Sequence, residues 1–81
     1  MTREEIISEI TEELSQEFEI EVSQMLPDAP IYETLQLDSL SLVDLIGIVQ
    51  AKYGVLISKS ELPTIKTFNN LYDYIESHLA K

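Results

Sequence analysis

Apolar residues recur every three or four positions in three separate stretches of this chain, and nowhere do they alternate with polar ones for long enough to build a sheet. Ile6, Ile7, Ile10, Leu14 and Phe18 make the first stripe. Leu42, Leu45, Ile46, Val49 and Tyr53 make the second, and Phe68, Leu71, Tyr72, Ile75 and Leu79 the third. An amphipathic helix must bury its stripe against a neighbour. Three such helices of similar length predict an all-α bundle with three main helices plus one short one, and a long loop between the first and second.

Local chemistry marks the helix ends. Thr2 followed by Glu5 is a capping box for a helix from Thr2 to about Phe18. Residues 19–37 form a connection in which Pro27 and Pro30 discourage a regular helix. Its apolar residues Ile20, Val22, Met25, Leu26, Ile31 and Leu35 predict a loop pinned onto the core. Asp38 is a favourable N-cap for a helix from Ser39 to Tyr53, and Gly54 is placed to end it. Val55 and Ile57 lead into a short loop, and Ser58 to Leu62 is expected to make one helical turn ahead of Pro63. Thr67 caps a last helix of about a dozen residues. With 81 residues and no domain boundary, residues 1–81 read as a single domain with no room for a deep substrate cavity.

Charge narrows the partners. The formal net charge is -10, and eight of the fifteen acids fall within the first 21 residues. Nucleic acid and anionic membrane surfaces are disfavoured, and basic partners are favoured. The glutamates of the first helix read as a solvated face. The chain shows neither a signal-peptide layout nor an apolar run of membrane-spanning length. A cytoplasmic monomer without membrane insertion is therefore expected.

Few residues can do chemistry. There is no cysteine, one histidine and two glycines, so thiolate metal sites and glycine-rich phosphate loops are unavailable. His78 stands at the edge of the third stripe with no nucleophile beside it. No metal site and no independent enzyme are expected. Ser39 remains. Alone it reads as an ordinary first-turn serine behind an Asp cap. As a modification site it would be exposed, and a phosphodiester there would meet free N–H groups and the positive end of the helix dipole. Adjacent Asp38 would repel that anion unless its carboxylate were occupied in capping. On the helix wheel Leu40, Val43, Asp44, Gly47, Gln50 and Ala51 share an arc turned away from the core stripe, with a single charge.

The segment Leu35-Gln36-Leu37-Asp38-Ser39-Leu40 resembles the motif of the acyl carrier protein family, whose D-S-L serine receives 4′-phosphopantetheine. Val43-Asp44-Leu45, Tyr53-Gly54-Val55 with Ile57, Ile65-Lys66-Thr67-Phe68 and Tyr74-Ile75 continue the resemblance downstream. It runs from about Leu35 to Leu79, and more loosely back to Thr2. It implies a carrier whose Ser39, flanked by Asp38 and Leu40, is loaded by a phosphopantetheinyl transferase from coenzyme A with Mg²⁺. The arm ends in a thiol, which lets a cysteine-free chain hold acyl groups as thioesters for acyl-loading and acyl-processing enzymes. Leu40, Val43, Asp44, Gly47, Gln50 and Ala51 would face those partners. Gln36 stands where the family often has glycine, and Gln50, Ala51 and Lys52 where it is often acidic. These departures point toward a specialised lipid, polyketide or amino-acyl pathway at least as much as toward general fatty acid synthesis. The competing reading is an unmodified acidic helical interaction module that keeps the carrier-like fold.

Overall fold

In a computed structural model, which describes residues 2–79, the chain forms four α-helices. They are α1 (Arg3–Phe18), α2 (Ile31–Thr34), α3 (Ser39–Tyr53) and α4 (Phe68–Leu79). Single 3₁₀ turns lie at Val22–Gln24 and Leu62–Thr64. The described residues contain no strand, only an isolated antiparallel bridge between Pro30 and Thr67.

The caps form as their chemistry dictates. Glu5 N–H donates to Thr2 Oγ1 at 3.2 Å, and Thr2 N–H donates back to Glu5 Oε1 at 3.1 Å, completing the capping box. Asn70 N–H donates to Thr67 Oγ1 at 3.2 Å at the start of α4. Gly54 follows α3 at φ 68°, the left-handed conformation that glycine adopts without a Cβ penalty.

The short helix is not where the sequence suggests. Ser58 to Leu62 makes the single expected turn, with Leu62 N–H donating to Ser58 O at 3.0 Å, but it does not lengthen into an α-helix, and a 3₁₀ turn begins at Leu62. The short α-helix lies inside the long connection, immediately after Pro30. Proline lacks an N–H, and the first helical turn has no intrahelical use for one. Pro30 at φ -69° therefore leads into α2 instead of blocking it.

The core is built from Ile6, Ile10 and Leu14 of α1, Leu45 and Val49 of α3, and Phe68, Leu71, Tyr72 and Ile75 of α4. Met25, Ile31, Leu35, Val55, Ile57 and Ile65 close it from the connections. Burying each of the larger side chains contributes about 1.5–3 kcal/mol. The pinned-loop expectation holds only in part. Met25, Ile31 and Leu35 are buried, but Val22 and Leu26 are 49% and 62% exposed. Ile7, Phe18, Leu42, Ile46 and Tyr53 are only partly buried, and Leu79 at the end of the third stripe is exposed. Two residues outside the stripes are buried instead. Thr11 donates its hydroxyl to Ile7 O at 2.6 Å. Tyr74 donates to Leu56 O at 3.1 Å and stacks on His78 with ring centroids 4.1 Å apart.

Polar ties fasten the helices to one another. Arg3 reaches from α1 to α4, pairing with Asp73 at 2.7 Å and bonding Asn69. Tyr53 of α3 donates to Ile6 O at 3.4 Å and to Glu9 Oε1 at 3.3 Å on α1. Tyr32 of α2 donates to Leu62 O at 2.9 Å, holding the long connection against the turn before α4.

Candidate functional site

Ser39 is the first residue of α3, and the segment ahead of it is shaped by α2. Leu37 N–H donates to Tyr32 O at 2.9 Å and Gln36 N–H to Glu33 O at 3.3 Å. This pair of bonds is a Schellman closure, with Gln36 at the left-handed position, φ 53°. The reversal keeps Leu35 buried and Leu37 half-buried, then delivers Asp38 and Ser39 to the surface. Gln36 thus sits in a conformation that glycine adopts most freely. An L side chain in that conformation crowds its own backbone.

Asp38 sets the electrostatics of the helix mouth. Its Oδ1 accepts from Ser41 N–H at 2.8 Å and from Leu40 N–H at 3.0 Å. Those bonds, the Ser41 one first, hold the Asp38 carboxyl below its usual range and keep it ionised. The carboxylate is thus occupied in capping, as the sequence reading required, while it keeps its charge. The same bonds overturn one expectation, however. Two of the N–H groups thought free for a phosphodiester are already taken by Asp38. A phosphate on Ser39 would therefore compete with Asp38 for these two donors.

The structure brings the rest of the expected surface together on one face. Ser39, Leu40, Val43, Asp44, Gly47, Gln50 and Ala51 are all exposed, with Leu40 at 77% and Val43 at 64%. A Cβ added at Gly47 would meet no atom within 4 Å. The arc is thus an unpacked surface bearing two large apolar side chains near the serine. Sequence reasoning missed the α2 closure and Tyr32, which position the motif. The glutamine at a usual glycine position was the available signal. His78 lies elsewhere, with Nδ1 2.8 Å from Tyr74 O, and joins no nucleophile. Among the described residues no helix is long and apolar enough to cross a membrane.

The structure is thus a small helical bundle that presents an exposed serine at a capped helix mouth, beside an exposed face of α3. Comparison with known proteins gives this bundle its family. Residues 8–75 match the family described as "Phosphopantetheine attachment site". The chain is 33% identical over 79 residues to the acyl carrier protein of Thermotoga maritima, covering 98% of each. It is 34% identical over 76 residues to the meromycolate extension acyl carrier protein of Mycobacterium leprae, covering 94% of this chain and 66% of that one. The solved structure of the acyl carrier protein from Enterococcus faecalis superposes with a TM-score of 0.78 at 31% identity, covering 95% of this chain and 98% of that one. The chain belongs to the acyl carrier protein family. Its role is that of an acyl carrier, and its cofactor is 4′-phosphopantetheine.

Proposed function

We propose that Ser39 Oγ is the attachment point of the phosphopantetheine arm, installed from coenzyme A by a phosphopantetheinyl transferase. The observation that supports this is an exposed Ser39 at the first position of α3, directly behind a cap that occupies its only neighbouring acid. The residues present fit the group. The hydroxyl is accessible, and the two backbone donors beside it are satisfied whether or not a phosphate is there. When bound, the arm supplies a terminal thiol for holding acyl groups as thioesters. The chain itself positions and presents. α3 fixes the point of attachment, and Leu40, Val43, Asp44, Gly47, Gln50 and Ala51 form the face offered to acyl-loading and acyl-processing enzymes. The chain carries out no catalysis of its own, and works in the cytoplasm.

The arc also bears on the pathway. A single acid, Asp44, stands among its six residues, and Lys52 follows it. Partners matched to this face meet Leu40 and Val43 with little charge, which fits a dedicated lipid, polyketide or amino-acyl pathway with enzymes of its own. Thiol titration tests the attachment. The chain has no cysteine, so any protein-bound thiol must come from the arm. After treatment with a transferase and coenzyme A, the desalted protein should show one thiol per chain, and Ser39→Ala should show none. A thiol on Ser39→Ala, or none on the wild type, refutes the assignment.

A further inference from the structure

An open groove lies on α1, built from residues that the serine and its arc do not use. Glu4, Ile7, Ser8, Thr11 and Glu12 line this groove of about 510 Å³, and Val22 of the following 3₁₀ turn closes one side. Ile7 and Thr11 lie one turn apart along its floor. The Thr11 hydroxyl is committed to Ile7 O, so it offers the groove no free donor. Val22 is 49% exposed although it is apolar, and it gives the groove an uncovered hydrophobic wall. Glu4 and Glu12 stand on the rim eight residues apart, which on a helix is about 12 Å.

The two charged residues that line this groove, Glu4 and Glu12, are both acidic, and the segment that carries them is strongly acidic. Glu4, Glu5, Glu9, Glu12, Glu13, Glu17, Glu19 and Glu21 lie on α1 or just after it, against Arg3 alone. Arg3 is engaged with Asp73 and Asn69 of α4, so it does not neutralise the rim. An occupant must therefore bring apolar side chains to Ile7 and Val22 and cations to Glu4 and Glu12. A second copy of this chain is repelled by its own charge of -10. A free fatty acid would bring another carboxylate to a carboxylate rim. The spacing suits a helix whose basic residues recur every two turns around an apolar stripe.

We infer that this groove docks a basic amphipathic helix of a partner protein, separately from the face around Ser39. The pairing of an unfilled apolar floor with an acidic rim carries the inference, and it stands whether or not Ser39 is modified.

The test titrates a synthetic leucine–lysine amphipathic helix of about four turns into ¹⁵N-labelled protein. The control peptide carries glutamine for every lysine. Amide shifts should concentrate at Ile7, Ser8, Thr11 and Val22. Val22→Ser removes the apolar wall from an exposed position and should weaken binding about tenfold. Glu12→Gln should weaken it severalfold and flatten its salt dependence. Four outcomes of the peptide titration overturn the inference. They are shifts spread evenly over all acidic segments, shifts centred on α3, equal affinity of the neutral peptide, or both variants binding within about twofold of wild type. Shifts at the groove that depend on the protein's own concentration, with no peptide present, would assign it to self-association instead and equally overturn it.

Discussion

Replacing Gly47 with alanine should make this protein more stable, by an amount the structure lets one work out in advance. Gly47 lies in the interior of α3, with solvent on its side of the helix. A Cβ there meets nothing within 4 Å, so neither a clash nor a new packing contact enters the sum. What remains is the helix-propensity difference between glycine and alanine, about 0.8–1 kcal/mol in a helix interior. For a domain of this size that corresponds to a rise in Tm of about 4–8 °C. Urea denaturation followed by far-UV circular dichroism measures the gain directly, with the m-value unchanged because the buried surface is unchanged. An unchanged or lowered midpoint would refute the reasoning. It would mean that position 47 is covered, and the outward placement of the whole Leu40–Ala51 arc would fall with it.

Other perturbations test neighbouring parts of the account. Gln36→Gly should relieve the left-handed strain at φ 53° and stabilise the fold by roughly 0.5–1 kcal/mol, readable in the same denaturation assay; a loss of stability would contradict the Schellman closure. The Asp38 carboxyl is held below its ordinary value by its cap bonds. Its stabilisation is thus full above the ordinary carboxylate range and is lost as pH falls through the depressed folded value. Asp38→Asn, which still caps, should lose less stability than wild type over that acid range, and parallel pH profiles would count against the cap. All four tyrosines have raised phenol pKa values, chiefly from burial, and the Glu9 carboxylate adds to this at Tyr53. The unfolded chain therefore loses these protons first, so stability should be intact below the ordinary tyrosine value of 10 and fall as pH climbs past it. A flat unfolding midpoint from pH 9 to 11 would contradict that burial.

The parts of this fold that could be read from the sequence are those decided within a few residues. Thr2 with Glu5, Asp38 and Gly54 act on backbone groups of the adjacent turn, so residue type and spacing suffice to place them. The stripe on α4 was equally plain, because four of its five residues meet the core from one side. Leu79, the last described residue of α4, is 38% exposed. Four residues are too few to display a helical period, so α2 was invisible, and Pro30 read as a breaker when it serves as a lead-in. Tyr74 is buried off the stripe because its hydroxyl finds Leu56 O in a distant loop, a partner that no local pattern names. At the site, Ser39 and the outward arc were legible. The Asp38 cap was legible too, but that it takes both the Leu40 and the Ser41 N–H required the distances themselves.

Attachment of the arm at Ser39 is the central claim, and intact-protein mass spectrometry after incubation with a phosphopantetheinyl transferase, Mg²⁺ and coenzyme A tests it most directly. The wild type should gain the mass of a single phosphopantetheinyl group, on a fragment containing Ser39, and Ser39→Ala should gain nothing. An unmodified wild type, or the same gain on Ser39→Ala, would contradict it.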